Sequence, residues 1–260
     1  MKPPDQPASS REPRDAFDRV VVVNLPRRPE RMERFWQTLG DWPFKRPQRH
    51  DATDGAAAGV PAGWDKGPGA WGCLLSHRAL MGAAIRDHVG SLLVLEDDAY
   101  PAHDFSTRAP QFLRRVPDDW DCLMLGAQHL LPPLPVTDGV VRCVASNRTH
   151  AYALRGPFMR MLLSFWSKTT NDHCDLVLSS LMRHYKVYAP DPLLIGQDGG
   201  PSDVTGHCER LRFLSDVDKD SIGRTNQRHR VELLVTRVNS SRSAVAELTA
   251  RAAAAAYPPL

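Results

Sequence analysis

Three carboxylates, Glu96, Asp97 and Asp98, stand in a row directly after the apolar run Leu92 to Leu95. Like charges so close repel, and each resists leaving water, so something must compensate them. Side chains alternate along a strand, which puts Glu96 and Asp98 on one side and Asp97 on the other. Two carboxylates on one side offer oxygen-only ligation and suit a hard cation such as Mg2+ or Mn2+. An ion of that kind takes further ligands from phosphate, so the triplet points to a phosphate-bearing substrate. Taken alone, the triplet also reads as a solvated acidic turn.

Two further clusters bear on that choice. Arg27, Arg28 and Arg31 follow the run that ends at Asn24. Guanidinium forks there suit a diphosphate or a carboxylate, against the plainer reading of a solvated helix start. Asp51 and Asp54, in "HDATDG", stand where a ribose or base would be read, or form an Asp-Gly turn.

The elements that must position these residues follow from patterning. "RVVVVNL" and "SLLVLEDD" are apolar on all sides, as strands covered on both faces are. "PERMERFWQTLG" reads as a helix with Pro29 in its first turn, Glu30 near its positive end and Gly40 as its stop. "FKRPQRHDATDG" contains a short strand. "AWGCLLSHRALMGAAIRDH" is the strongest helix, "DFSTRAPQFLRRV" another, and "WDCLMLG" a strand. Short antiparallel strands and loops are expected over residues 127–144. "THAYALRG" reads as a strand, and "GPFMRMLLSFW" and "NDHCDLVLSSLMRHY" as helices, the second capped by Asn171 or Asp172. "KVYAPDPLLIGQ" is a strand and loop. The β-α alternation predicts an α/β domain with a mostly parallel sheet. Ligands then bind beyond the carboxyl ends of its strands, where all the acidic and basic clusters fall.

The 260 residues, 42% hydrophobic and 24% charged, suit an ordinary globular protein of one large or two small domains. A net charge of +3 with no basic run gives no signature of nucleic-acid binding. Five cysteines without a C-x-x-C pair argue against a disulfide scaffold or a structural zinc site, and for buried thiols in a reducing compartment. No apolar stretch is long enough to span a bilayer. Residues 1–18 read as a disordered leader, 19–210 as the domain and 211–260 as a tail or peripheral helix. That tail is left open between a peripheral membrane contact through Arg224, Arg228 and Arg230 and no role at all. A cytoplasmic location is expected, and oligomeric state is not read.

Seven stretches, "NLPRRPERMERF", "HDATDG", "GAWGCLLSHRAL", "LLVLEDDA", "THAYALRG", "NDHCDL" and "DPLLIGQDGGPSDV", occur in the order and rough spacing of glycosyltransferase family 25. The chain resembles this family over roughly residues 20–204. The resemblance implies a GT-A-like, Rossmann-like single domain, a UDP-sugar donor, galactose above all, and a divalent metal, Mn2+ or Mg2+, on a D-x-D-like motif. By that analogy Asp98 is the direct metal ligand, and Glu96 helps hold the metal or the ribose. A Glu in the first position departs from a strict D-x-D. Asn24, Arg28, Arg31, Asp54, Ser76, His77, Glu96 and Asp97 fall on the donor side. Gly69 and Gly72 would let the backbone approach the sugar. The family's inverting chemistry needs one base, here Asp172, with Asp175 as its alternate. Gln197, Ser202 and Asp203 match an acceptor-side or loop-forming stretch. Thr149 and Tyr152 match a T-x-x-Y pattern, with Tyr152 read as core. A lipopolysaccharide or lipooligosaccharide is the implied acceptor. The main rival is a non-catalytic nucleotide- or glycan-binding protein on the same fold. A phosphate-transferring hydrolase would want a D-x-D-x-T/V pattern after the first strand, where Asn24 and Leu25 stand instead.

Overall fold

The computed structural model describes residues 12–201, 203–204 and 208–209. The tail stretch with Arg224, Arg228 and Arg230 lies outside them, as does Ser202. The described residues fall in the first of two units into which the chain divides, Met1–Val217.

An eight-stranded sheet runs through this unit. Its strands are β1 (Arg19–Asn24), β2 (Gln48–Asp51), β3 (Ser91–Glu96), β5 (Cys122–His129), β6 (Leu134–Thr137), β7 (Val140–Arg142), β8 (Ser146–Arg155) and β9 (Val187–Pro190), in the order β2-β1-β3-β8-β5-β9-β7-β6. β2, β1 and β3 are parallel neighbours, as are β5 and β9. β8 pairs antiparallel with both β3 and β5, and β7 with both β9 and β6. Six of the eight strands therefore point one way and β8 and β7 the other. This is the α/β class expected, with the largely co-directional single sheet of the GT-A-like reading. β4 (Ala99–Pro101) and β10 (Ile195–Gln197) form a separate antiparallel ribbon just beyond the end of β3.

Strand alternation sorts the core into two layers. Val20, Val22, Leu93, Leu95, Ala151 and Ala153 pack with Phe35 of α1 (Pro29–Thr38) and with Phe105, Ala109 and Phe112 of α4 (Phe105–Arg115). On α1, Pro29 stands in the first turn and Met32 and Phe35 turn inward at three-residue spacing. The left-handed Gly40 follows its end. Leu92, Val94 and Tyr152 face the opposite way, toward α3 (Gly67–Arg86), to which Tyr152 is hydrogen-bonded. Ala70, Leu74, His77, Met81 and Ala84 are buried along α3 at steps of four and three, so His77 sits within an apolar stripe. α5 (Gly156–Lys168) packs against α3, and α6 (Cys174–Leu181) against α3 and β8.

Two boundaries differ from the sequence reading. Phe17, assigned to the leader, is 1% exposed and meets Phe44 edge to face, so the core begins ahead of β1. α6 starts at Cys174 with His173 at the cap position, and no side chain caps it. Asn171 accepts from the Asp65 N–H instead, so neither Asn171 nor Asp172 is the N-cap. No helix among the described residues is long and apolar enough to cross a membrane.

Candidate functional site

β1, β2 and β3 deliver Asn24, Asp51 and Glu96 to the same edge of the sheet because they are parallel and in register. The chain turns after Glu96, and the three carboxylates take three different sets of partners. Glu96 Oε1 accepts from the Thr149 hydroxyl at 2.7 Å and from His77 Nε2 at 3.2 Å. A carboxylate only accepts, so this Nε2 carries the hydrogen, and Nδ1 shares a hydrogen bond with the Tyr152 hydroxyl at 2.7 Å. Burial alone would raise the Glu96 carboxyl. The His77 ring and the Thr149 hydroxyl outweigh it and bring Glu96 down to about 2.

Asp97 is consumed by structure. Its Oδ1 accepts from Arg31 Nε at 2.8 Å and Nη2 at 2.5 Å, and its Oδ2 from Asn24 Nδ2 at 2.6 Å. The same Asn24 amide bonds the Arg28 carbonyl at 3.1 Å. Asn24, assigned to the donor side, thus ties β1 to the turn after β3 while its own Oδ1 stays buried and unpaired.

Asp98 is different. Its Oδ2 meets Arg31 Nη2 at 3.3 Å and Gln197 Nε2 at 3.4 Å. Its Oδ1 is buried with no hydrogen-bond partner. Burial and then the charge of Glu96 push Asp98 up to about 7, against the pull of Arg31. A part-buried ionised Glu96 beside an Asp98 whose Oδ1 has no partner among the described residues makes an oxygen donor pair that a hard divalent cation fits.

Gln197 is fastened beside Asp98 by the β4–β10 ribbon and by the Asp198 N–H on the Asp98 carbonyl at 2.6 Å. Its amide is oriented without ambiguity, since it donates to Asp98 and accepts from the Arg148 guanidinium. Arg148, which the sequence reading passed over, has a left-handed backbone at φ 73°. Its N–H is held by Asp175 Oδ2 at 2.9 Å, while Asp175 Oδ1 takes the Leu176 N–H at 2.8 Å. Among the described residues, the Arg148 guanidinium bonds amide oxygens alone, of Gln197 and of Gln128 at 3.4 Å, and no carboxylate lies within ion-pair distance. No local pattern announces such a residue, because it sits at a register shift in the pairing of β8 with β5.

The other arginines are already paired. Arg27 meets Asp54 at 2.7 Å and Asp203 at 2.9 Å, and Arg28 meets Asp203 at 3.0 Å and Glu30 at 3.3 Å. Asp54 also accepts from the Ala56 N–H at the start of the short α2 (Gly55–Ala58). Ser76 is likewise structural in its contacts, bonding the Gly72 carbonyl at 2.6 Å and the Thr53 N–H at 2.8 Å. Gly69 and Gly72 were expected to admit the sugar. Each instead admits the chain itself: a Cβ on Gly69 would lie 2.1 Å from the Asp203 carbonyl, and one on Gly72 2.6 Å from the Thr53 carbonyl. Asp172 lies in the loop ahead of α6.

No family model matches the chain. It is 30% identical over 181 residues to the inactive glycosyltransferase 25 family member 3 of Homo sapiens, covering 60% of this chain and 30% of that one. It is 28% identical over 188 residues to the probable inactive glycosyltransferase 25 family member 3 of Bos taurus, covering 63% and 30%. The chain thus matches under a third of the length of these curated relatives. Among solved structures, a glycosyltransferase involved in glycosylation of the major capsid of PBCV-1 overlaps with a TM-score of 0.34 at 9% identity, covering 58% of this chain and 66% of that one. UDP-glucose pyrophosphorylase complexed with UDP-glucose overlaps at 0.38 and 10% identity, covering 86% and 81%. At these scores the structural likenesses carry no argument.

Proposed function

We propose that this chain, a relative of glycosyltransferase family 25, is a metal-dependent inverting glycosyltransferase. It moves a sugar, galactose in the first instance, from a UDP-sugar to a hydroxyl of a lipopolysaccharide- or lipooligosaccharide-type glycan. The reaction belongs to the cytoplasm, at the inner face of the membrane. The observation that carries this reading is Asp98 Oδ1, buried and unpaired beside the ionised Glu96. Asp98 and Glu96 would hold Mn2+ or Mg2+, and such an ion supplies positive charge against the leaving diphosphate.

The chain's own residues do the rest. His77 and Thr149 fix the Glu96 carboxylate so that no reorganisation is needed when the donor arrives. Arg148, with no carboxylate partner among the described residues, is the guanidinium best suited to the diphosphate, better than Arg27, Arg28 or Arg31, whose charge is already answered. Gln197 holds Arg148 and Asp98 in one arrangement. Asp172 takes the proton of the acceptor hydroxyl as it attacks the anomeric carbon. Asp175 is the weaker base, because both its oxygens already accept backbone hydrogens.

A second reading is a non-catalytic nucleotide- or glycan-binding protein. It is favoured by the names of the curated relatives, which are called inactive. The experiment that separates the two measures release of free nucleotide from a panel of UDP-, GDP- and CMP-sugars, with Mn2+ or with EDTA. Mn2+-dependent release from one UDP-sugar, lost in Asp98→Ala, supports the enzyme. Nucleotide binding without release supports the second reading.

A further inference from the structure

Behind the acidic turn, metal-ligating side chains of a different kind converge between α3 and α6. Cys73 and His77 stand one turn apart on α3 and share a face. Cys174 opens α6. The two sulfurs and one ring nitrogen of His77 all lie within 4.8 Å of one another. The Cys73 and Cys174 Sγ atoms are 3.5 Å apart, and Glu96 Oε1 lies 3.2 Å from His77 Nε2.

These spacings match a tetrahedral ion. Metal–sulfur bonds of about 2.3 Å and metal–nitrogen or –oxygen bonds of about 2.0–2.1 Å place two thiolates about 3.8 Å apart and an N,O pair about 3.3 Å apart. The two sulfurs already stand near their separation, with a ring nitrogen of His77 within 4.8 Å of both. We propose that Cys73, His77 and Cys174 form a three-ligand binding site for a thiophilic divalent cation, Zn2+, with its fourth position left for water.

The surroundings complete the requirements. A metal-bound histidine donates its other ring N–H to an outer partner. With Nε2 on the ion, Nδ1–H donates to the Tyr152 oxygen 2.7 Å away. Cys174 lies in the first turn of a helix, where the macrodipole favours a thiolate. His77 and Cys174 are buried, and Cys73 is partly exposed, which gives the ion a way in. Binding breaks two S–H bonds and forms two metal–sulfur bonds, with both protons released to water. Two thiolates select Zn2+ over Mn2+, the reverse of the oxygen pair at Asp98.

The test uses the full chain, reduced and stripped by chelation, titrated with Co2+ and then Zn2+. The expected result is one Co2+ per chain with a thiolate-to-cobalt charge-transfer band in the near ultraviolet, displaced by Zn2+. Cys73→Ser and Cys174→Ser each weaken binding by about 100-fold or more, since even outer partners of a metal site cost about 10- to 100-fold. Cys143→Ser, whose thiol is buried elsewhere in the core, leaves the band unchanged. Folded wild-type protein without the band overturns the proposal, and so does a band that survives both Cys73→Ser and Cys174→Ser. The wild-type titration needs no variant to fold. None of these readouts involves sugar transfer, so failure here is distinct from failure of the proposed activity.

Discussion

Hydrogen bonds decide what each acidic side chain does. Asp97 and Asp98 are neighbours, yet Arg31 and Asn24 occupy one fully and leave an oxygen of the other free. Arg148→Gln is therefore expected to lower donor turnover by about 10²- to 10³-fold, the usual cost of one preorganised charge-stabilising donor, while Arg27→Gln costs far less. Steady-state release from the preferred UDP-sugar decides it. Asp172→Asn is expected to keep donor binding and lose transfer to acceptor; unchanged transfer would reduce Asp172 to a loop residue. His150 and Asp98 pull acid stability in opposite directions, the folded state taking up the Asp98 proton first and the unfolded state the His150 proton. Burial brings its imidazole from 6.5 down to about 4 despite the bond to the Ile195 carbonyl. The unfolded chain then binds this proton first, so the contribution of His150 to stability is lost as pH falls from 6.5 toward 4. The loss is on the order of 3 kcal/mol. His150→Asn should flatten the melting temperature over that range relative to wild type.

Elements bring these residues together through close backbone contacts. The loop after β2 and the start of α3 meet through facing glycines, with the Gly55 and Gly72 backbones too close to admit a Cβ on either. Gly72→Ala must push Thr53 and Gly55 away and is expected to cost about 1–3 kcal/mol in urea unfolding. Gly69→Ala strikes the Asp203 carbonyl instead, so it should loosen the Arg27 and Arg28 pairs with little change in the core. β8 is the other joint. Inserted antiparallel between β3 and β5, it presents Thr149 to Glu96 and Tyr152 to His77. A strand running the other way would not bring that pair to both partners.

Across the described unit, one sheet edge gathers residues from β1, β3, β8, α3 and the β4–β10 ribbon, so ligand binding should be felt by the whole fold. If Asp98 and Glu96 bind Mn2+, the ion at 100 times its dissociation constant stabilises the folded chain by about 2.7 kcal/mol. Asp98→Ala should abolish that gain in a thermal melt while the metal-free protein still folds. A variant that melts at the same temperature as wild type with and without Mn2+ would count against the metal reading.

Much of this was legible in the residues. The apolar runs that became β1, β3 and β5, the helices α1, α3 and α4, and the position of the acidic triplet at a strand end all follow from local periodicity and turn chemistry. Those depend on neighbours a few residues apart. The roles within the triplet do not. They depend on Asn24, Arg31, His77, Thr149 and Gln197, which reach it from other elements. The left-handed Arg148 sits at a register shift between β5 and β8, with its N–H on Asp175. Cys73 and Cys174, without a metal-binding spacing in the chain, meet at 3.5 Å only because α6 packs against α3. Local sequence determined which elements form and where charge gathers. Only tertiary packing decided which charges are answered, because a hydrogen bond depends on distance in space and not on separation along the chain.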